Sequence, residues 1–353
     1  MSDRAVAFHN NPWQGVLYVT GGGGAFVAEM LSTPGASATV LEVKVPYAEK
    51  ALHELLGATP EQAASDTTAR QLAMAAYQRA RSLESDGTEL FGLGCTASLA
   101  TNRDKKGTHR AHWAIQTKDK TLGFSTTYKA DRATEETLLT DQLWASLQYL
   151  SAGEELPADV NFQIAQPAFD TTRLLDDIPE KICTAQHHGK LIFPGSFNPL
   201  HDGHRKMMAV TERITGLAGA YEIAIRNADK PAIDFISLEE RLSAMAEHPV
   251  WLTNTPTYAE KAELFPNTTF AIGADTIVRV GELRFYSHRQ DLLAEALATF
   301  ERADCQFLVF GRSTNGGFQT LKDLDLPSRL RARCAAVSED DFRMDISSTA
   351  LRR

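Results

Sequence analysis

The chain has few cysteines, and their arrangement points to neither a disulfide framework nor a zinc site. Its four cysteines, Cys95, Cys183, Cys305 and Cys334, lie far apart and form no CxxC pair. Zinc fingers and small secreted domains space their cysteines closely. We therefore expect reduced thiols and no structural metal.

The sequence also lacks a surplus of positive charge. Its 36 Lys and Arg residues stand against 45 Asp and Glu, a net charge of -9, which argues against non-specific binding to nucleic acid or anionic lipid. No apolar run approaches the roughly 18 residues of a membrane span, and the start at Met1 lacks the layout of a signal peptide. We expect a cytoplasmic protein with small-molecule nucleotide partners and no nucleic-acid or membrane partner; a homo-oligomer stays open.

What remains is an ordinary globular composition, with 43% hydrophobic and 23% charged residues. A chain of 353 residues exceeds the usual size of one domain, about 100–150 residues. We predict two α/β domains, 1–155 and 187–353, joined by a linker at 156–186. The second is predicted to be a Rossmann-like doubly wound parallel sheet.

In the first domain, apolar and turn-forming segments alternate. The apolar run 15–19 predicts a strand, and the glycines at 21–24 open a helix. A long helix is predicted to start at Thr59, a further one covers 135–150, and 160–164 is assigned to an edge strand.

In the second domain, short apolar runs alternate with helical patterns, and this alternation is typical of a parallel sheet covered by helices. The predicted strands are 190–193, 221–225, 269–272 and 306–310.

Directly after the first of these strands lies the segment from Gly195 to His204, followed by a helix-compatible run. Its glycines and two imidazoles stand where a helix N-terminus meets the carboxyl edge of a sheet, which favours phosphate binding. The alternative is that His201 and His204 are structural histidines.

The segment resembles the GxFxPxHxGH signature of the nucleotidylyltransferase superfamily, and its wording is most similar to nicotinamide mononucleotide adenylyltransferases. The resemblance covers residues 190–353. It implies that His201 and His204 are catalytic. It further implies nucleotide binding by Gly195, Ser196, Phe197, Asn198 and Gly203.

A second motif lies at the end of the printed sequence, where residues 346–352 are similar to the ISSTxxR phosphate-binding motif of the same family. The resemblance implies that Arg352 is catalytic and that Ser347, Ser348 and Thr349 hold the triphosphate. Alone, the hydroxyl residues could equally cap a helix.

Three intermediate segments match family wording as well. Lys230 lies in a segment, 227–241, that resembles the region contacting the acceptor phosphate, although its Glu-Glu-Arg run also fits a solvated helix face. The run Gly273-Ala-Asp275 is similar to the turn that holds the nucleotide ribose, but Asp275 could instead cap a helix starting at Thr276. Arg312 stands where the family places a phosphate-contacting basic residue.

The resemblance implies an enzyme that transfers AMP from ATP to nicotinamide or nicotinate mononucleotide, with Mg²⁺, and releases pyrophosphate. This activity belongs to NAD biosynthesis or salvage. Two alternatives stay open: another phosphate acceptor such as a phosphopantetheine-like one, or a non-catalytic nucleotide-binding protein that senses its ligand.

Residues 15–150 resemble the CinA carboxy-terminal family, whose better-known members deamidate nicotinamide mononucleotide with the serine of an ESxTGG motif. Aligning Thr20-Gly21-Gly22 with that motif places Tyr18 at the nucleophile. We expect Tyr18 to be a core residue and the domain to be catalytically degenerate, with a nucleotide-binding or dimerising role. Cys95 could form a thiol–imidazole pair with His109 or His112, but we expect the cysteine to be inert.

A phosphate site is a further alternative for this domain. Its glycines at 21–24 and the basic residues Lys105, Lys106 and Arg110 of the loop before His112 could hold an anion.

Overall fold

The computed structural model describes residues 2–84, 89–102, 107–167, 170–226, 230–314 and 317–343. The chain divides into two compact units. The first comprises Met1–Ala168 with Asp229–Glu239, and the second comprises Phe169–Ala228 with Glu240–Arg353. Within the described ranges, no helix is long and apolar enough to cross a bilayer.

The first unit has a six-stranded sheet in the order β2-β1-β3-β4-β5-β6. Strands β1, β2 and β3 pair in parallel, and β3 to β6 pair antiparallel. Its strands are β1 Trp13–Thr20, β2 Val40–Lys44, β3 Glu89–Ser98, β4 His109–Gln116, β5 Thr121–Tyr128 and β6 Asn161–Ala165. Its helices are α1 Asp3–His9, α2 Gly24–Ser32, α3 Glu49–Leu56, α4 Asp66–Leu83 and α5 Arg132–Ala152.

Strand β1 is the centre of this unit because both of its faces are covered. Alternate residues of a strand point to opposite faces, and Tyr18 packs in a cluster with Leu72 of α4, whereas Val19 packs in a second cluster with Trp144 of α5. On β3, Gly94 lets α4 approach closely, since a Cβ there would overlap the helix backbone.

Helix α4 starts later than the sequence pattern suggests. The predicted start at Thr59 is wrong, because Ser65 is the N-cap and its Oγ accepts a hydrogen bond from the Thr68 amide at 3.2 Å. The serine cap, and not the threonine–proline pair before it, satisfies the amides of the first turn.

The second unit has a seven-stranded sheet in the order β15-β12-β11-β8-β9-β10-β7. Its strands are β7 Lys181–Cys183, β8 Leu191–Pro194, β9 Ala220–Ala224, β10 Val250–Thr253, β11 Thr269–Gly273, β12 Gln306–Phe310 and β15 Cys334–Ala336, with a separate hairpin of β13 Arg312–Thr314 and β14 Gly317–Gln319. The helices after β8 are α6 Asp202–Thr215, α7 Phe235–Ser243, α8 Tyr258–Leu264, α9 Ala274–Gly281, α10 Gln290–Arg302 and α11 Ser328–Arg331.

All neighbours in this sheet are parallel except the edge strand β7. Taken in chain order without β7, the six parallel strands follow the order 3-2-1-4-5-6 of a doubly wound dinucleotide-binding sheet. The chain reverses its direction of travel across the sheet between β8 and β11. The predictions of two α/β domains and of a Rossmann-like sheet in the second are confirmed.

Residues 156–186, predicted to be a linker, contain regular structure. They include β6, a 3-10 helix at Thr171–Leu175, and β7. The edge strand predicted at 160–164 corresponds to β6.

Candidate active site

The candidate site lies at the carboxyl edge of the second sheet, where β8 and β11 are neighbours. In doubly wound sheets, ligands bind in the crevice where the strand order reverses, outside the carboxyl ends of the strands. The turn 195–204 follows β8, the run Gly273-Ala-Asp275 begins at the last residue of β11, and Arg312 follows β12. Three of the predicted segments therefore leave adjacent strands at the same edge.

The turn after β8 is held by packing around Phe197. This side chain is 2% exposed and its backbone has φ of 42°, while its ring meets those of Tyr221 and His204 edge-on. A Cβ on Gly195 would lie 2.6 Å from the Phe197 ring, which explains the glycine. Buried in this way, the phenylalanine side chain supports the turn, whereas Ser196 and Asn198 are exposed.

His201 and His204 lie at the start of α6. Their rings are stacked, with centroids 3.6 Å apart and planes inclined by 24°. His201 is the N-cap residue, and its backbone amide donates to Nδ1 of His204 at 3.4 Å. Gly203, between them, is buried.

Both imidazoles favour the neutral form. Burial, reinforced by the neighbouring His201, lowers the pKa of His204 to about 4, and burial also lowers the pKa of His201. A neutral His204 whose Nδ1 accepts a hydrogen bond carries its proton on Nε2. It can therefore donate one hydrogen bond from Nε2 to an anionic oxygen.

The second element of the site joins two predicted residues. Asp275, in the first turn of α9, forms an ion pair with Arg312, and both side chains are about half exposed. The alternative of Asp275 as an N-cap is wrong, because Gly273 is the N-cap of α9. Among the described residues, apart from its chain neighbours and the backbone of its own helix, no heavy atom lies within 4 Å of a Cβ built on Gly273, so these residues leave the space there open.

Lys230 and the four residues of the terminal motif are the remaining predicted site residues. Lys230 is exposed and belongs to the segment 229–239 of the first unit. The residues Ser347, Ser348, Thr349 and Arg352 lie outside the described part of the chain.

Arg241 ends the segment 227–241 that resembles the acceptor-phosphate region, but it was not singled out as a site residue. It donates from Nη1 to the carbonyl of Ser196 at 3.1 Å, whereas its sequence context fits a solvated helix face. The two residues lie 45 positions apart, and no local pattern relates them.

A buried ion pair near the turn 195–204 was also not predicted from the sequence. Lys261 Nζ lies 2.6 Å from Glu222 Oε1, with side chains 4% and 1% exposed. Thr253 Oγ1 donates to the same carboxylate oxygen, and the Glu222 carbonyl accepts from the Gly195 amide at 3.0 Å. Strand β9 thus links this ion pair to the beginning of the turn. Lys261 lies in a charged helical segment whose sequence pattern is typical of an exposed helix face.

In the first unit, the structure confirms that Tyr18 is a core residue. It is 2% exposed, burial raises the pKa of its phenol, and its hydroxyl donates to Glu42 at 3.3 Å. A buried, protonated phenol is a poor nucleophile.

The other nucleophile candidate in this unit is also unsuited. Burial raises the pKa of Cys95. The Nδ1 atoms of His109 and His112 lie 2.7 and 2.8 Å from carboxylate oxygens of Glu135 and Asp66, respectively. The structure confirms that Cys95 is buried, and its inertness stays a prediction.

The glycine turn of the first unit holds a carboxylate. Glu136 accepts from the Ala25 amide at the start of α2, at 3.1 Å, the position at which a helix favours an anion. Lys105 and Lys106 lie outside the described residues, and Arg110 donates to the carbonyl of Ala64 at 3.1 Å. A cleft of about 560 Å³ beside this turn is lined by Tyr47 and Arg110, among others.

Comparison with known proteins gives a family for one part of the chain. Residues 192–353 match the family described as cytidylyltransferase-like. No curated protein matches the chain significantly.

Solved structures of competence- and damage-inducible proteins match about two fifths of the chain. The protein CihA from Agrobacterium tumefaciens is 22% identical, with 41% of this chain and 88% of that one covered and a TM-score of 0.33. A CinA superfamily protein from Escherichia coli is 17% identical, covering 39% and 81%, with a TM-score of 0.32. The protein from Enterobacter asburiae is 14% identical, covering 41% and 94%, with a TM-score of 0.32.

Proposed function

Because residues 192–353 form a cytidylyltransferase-like domain of the nucleotidyltransferase superfamily, we propose that the chain transfers AMP from ATP to nicotinamide or nicotinate mononucleotide and releases pyrophosphate. The observation that carries the proposal is the stacked pair of imidazoles of His201 and His204 at the N-terminus of α6, where burial lowers the pKa of both. This pair of imidazoles lies at the position in a doubly wound sheet where nucleotides bind. This reaction belongs to NAD biosynthesis or salvage.

The proposed reaction is a direct displacement at the α-phosphorus of ATP that transfers the adenylyl group. A phosphate oxygen of the acceptor attacks the α-phosphorus of ATP, the bond to the bridging oxygen of the β-phosphate breaks, and pyrophosphate leaves with that oxygen. No covalent enzyme intermediate forms, so catalysis rests on positioning and on stabilising charge.

The imidazoles suit this task because they add donors without adding net charge. The Nε2–H group of His204 donates to a phosphate oxygen as charge develops there, and His201 stacks on it from the N-cap position. The amides of the first turn of α6 favour the same anion. The ion pair of Asp275 and Arg312 stands at the neighbouring strands, where a ribose and a phosphate can be held.

Magnesium fits the proposal as an ion held mainly by the substrate. Among the described residues, no group of three or more His, Cys, Asp and Glu side chains could hold a metal ion. Mg²⁺ keeps several waters and binds readily through substrate phosphates, and when bound it neutralises charge on the leaving pyrophosphate. We assign Arg352 with Ser347, Ser348 and Thr349 to the triphosphate on their motif alone.

The first unit is proposed to be degenerate as an amidase. Tyr18 stands buried where the serine motif would place its nucleophile, and Cys95 is buried and protonated. Its cleft beside Tyr47 and Arg110 leaves a nucleotide-binding role open.

The test is an assay of pyrophosphate release by the purified full chain with ATP and Mg²⁺. Each mononucleotide is offered separately, and release is expected with at least one of them. Release only with other phosphate acceptors would retain the nucleotidyltransferase and reject the acceptor. ATP binding without turnover on any acceptor would reject the enzyme in favour of a sensing protein.

A further inference from the structure

A second cleft of the first unit combines apolar walls with a pair of charges. It has a volume of about 540 Å³ and shares Tyr47 with the cleft described above. Small-molecule sites are typically clefts of about 300–1,000 Å³ whose apolar walls surround a few convergent polar groups. The lining of this cleft includes the apolar side chains of Val19, Val27, Val45 and Tyr47 and the charged side chains of Arg132 and Glu136.

Two apolar side chains of the wall are exposed. Val45 is 56% exposed and Tyr47 is 68% exposed. The segment that carries them is fixed to the end of β1, because the hydroxyl of Thr20 donates to the carbonyl of Pro46 at 3.0 Å. Neighbouring exposed apolar side chains along a cleft are found in ligand-binding grooves. The wall therefore offers a fixed apolar surface to a ligand.

Both charged side chains come from the first turns of α5. Asp131 caps this helix, since its carboxylate accepts from the amides of Ala133 and Thr134 at 3.0 and 3.1 Å. Arg132 and Glu136 are four positions apart and lie on one face of the helix. Arg132 Nη2 is 3.7 Å from Glu136 Oε2, which is longer than a hydrogen bond. The two charges are neighbours, but no hydrogen bond joins these two atoms.

The two carboxylate oxygens of Glu136 differ in their partners. Oε1 accepts from the Ala25 amide at 3.1 Å, whereas Oε2 is shielded from solvent and has no hydrogen-bond partner among the residues that the structure describes. A shielded carboxylate oxygen without a donor is costly. The Arg132 side chain is 44% exposed, so it can rotate and give a donor in the cleft access to Oε2.

The charges of the pair decide which head group fits the cleft. A plain anion meets the carboxylate of Glu136, which already accepts the Ala25 amide that would favour an anion. A plain cation meets the guanidinium of Arg132 beside the same carboxylate. A head group with both charges is attracted by both members of the pair. Their 3.7 Å separation suits charges carried on a single carbon atom.

We propose that this cleft binds a free α-amino acid with an apolar side chain. The ammonium group of the ligand donates to Glu136 Oε2, and its carboxylate accepts from the guanidinium of Arg132. Its side chain lies against Val45 and Tyr47. The inference does not depend on the nucleotidyltransferase reaction, and it assigns a class of ligand to the unit in which Tyr18 stands at the nucleophile position.

The experiment measures ligand binding to the full chain by calorimetry, without ATP. Free leucine, valine, methionine and phenylalanine are offered separately, and at least one should bind. Analogues that carry one charge or none test the head group. For leucine these are 3-methylbutylamine, 4-methylpentanoate and 4-methylpentanamide, and each should bind about tenfold more weakly or worse, because each loses at least one charged hydrogen bond.

Two variants test the contacts of the head group. Glu136→Gln keeps an acceptor for the Ala25 amide but removes the charge, and Arg132→Gln removes the guanidinium. Each should weaken binding about tenfold or more. Glu54→Gln is the matched control, because it breaks an exposed pair with Lys50 at the same spacing on α3, and it should bind like wild type. Thermal unfolding establishes that each variant is folded.

Three results would overturn the inference. The first is that none of the four amino acids binds at millimolar concentration. The second is that inorganic phosphate, or an analogue lacking one or both charges, binds as tightly as the amino acid. The third is unchanged binding in a folded Glu136→Gln or Arg132→Gln protein. A chain that turns over no acceptor would reject the proposed function and leave these binding results to decide about the cleft.

Discussion

Both units contain a strand–turn–helix segment, but different side chains lie at the start of the helix in each. In the first, β1 leads through the glycines at 21–24 into α2, and the carboxylate of Glu136 accepts the amide of Ala25. In the second, β8 leads through 195–204 into α6, and the side chains at the helix start are the neutral imidazoles of His201 and His204.

The difference shows what a glycine-rich turn does and does not encode. Glycines and the helix start predict backbone geometry that suits an anion. Whether an external anion can bind depends on side chains that reach the turn, and Glu136 comes from α5, far along the chain. A carboxylate at the helix start already fills the favourable position and repels phosphate.

The largest expected effect comes from removing an imidazole of the second turn. His204→Ala should lower kcat by about 10²–10³-fold, because it removes one donor to the oxygens on which charge develops. Steady-state rates of pyrophosphate release measure this. His188→Ala, at an exposed histidine before β8, is the matched control and should behave like wild type. A His204→Ala enzyme with near-normal kcat would remove the histidine from the mechanism.

The next effect concerns pH and stability. The pKa of His204 is lowered to about 4 from its usual 6.5, so below pH 6.5 the unfolded chain binds a proton that the folded chain excludes. The free energy of unfolding should therefore fall as the pH drops from about 6.5 to about 4.

The variant His204→Gln isolates the contribution of His204 to the pH dependence of stability. In His204→Gln, denaturant unfolding at pH 7 and pH 4.5 should show a smaller loss of stability on acidification, by on the order of 2 kcal/mol after allowance for partial exposure. An equal loss in both proteins would contradict the assigned ionisation.

A smaller effect is expected at the neighbouring strands. Arg312→Ala should raise KM for ATP about tenfold, the cost of roughly 1.5 kcal/mol for a lost charged hydrogen bond. Arg289→Ala removes a comparably exposed ion pair with Asp291 and should leave KM unchanged. Equal KM values for both variants would place Arg312 outside the nucleotide site.

The smallest effect is expected at the glycine turn of the first unit. Glu136→Ala should lower the free energy of unfolding by about 1 kcal/mol, because the Ala25 amide at the start of α2 loses its acceptor. Glu54→Ala removes an exposed pair with Lys50 and should have almost no effect. If Glu136→Ala is as stable as Glu54→Ala in urea unfolding, the carboxylate does not hold the helix start.

The sequence predicts the second sheet well because buried parallel strands are nearly continuous apolar runs. The prediction 306–310 coincides with β12, and 269–272 differs from β11 by one residue. The start of α4 is predicted less well, because two segments compete as helix caps and only the packed structure selects Ser65.

Contacts between distant segments are what the sequence does not reveal. Arg241 and Ser196, or Lys261 and Glu222, are joined only by the folded chain, and the sequence patterns around Arg241 and Lys261 are those of solvated helices. The attachment of 230–239 to the first unit has the same origin, since Asp234 meets Arg70 across 164 positions of sequence (234 minus 70).

The most direct measurement follows the bond that breaks in ATP. ATP labelled at the α-phosphate is incubated with the full chain, Mg²⁺ and each mononucleotide, and the products are separated. The account predicts that the label enters a dinucleotide while unlabelled pyrophosphate is released in equal amount. Label found only in ADP or AMP, with no dinucleotide from either acceptor, would contradict it.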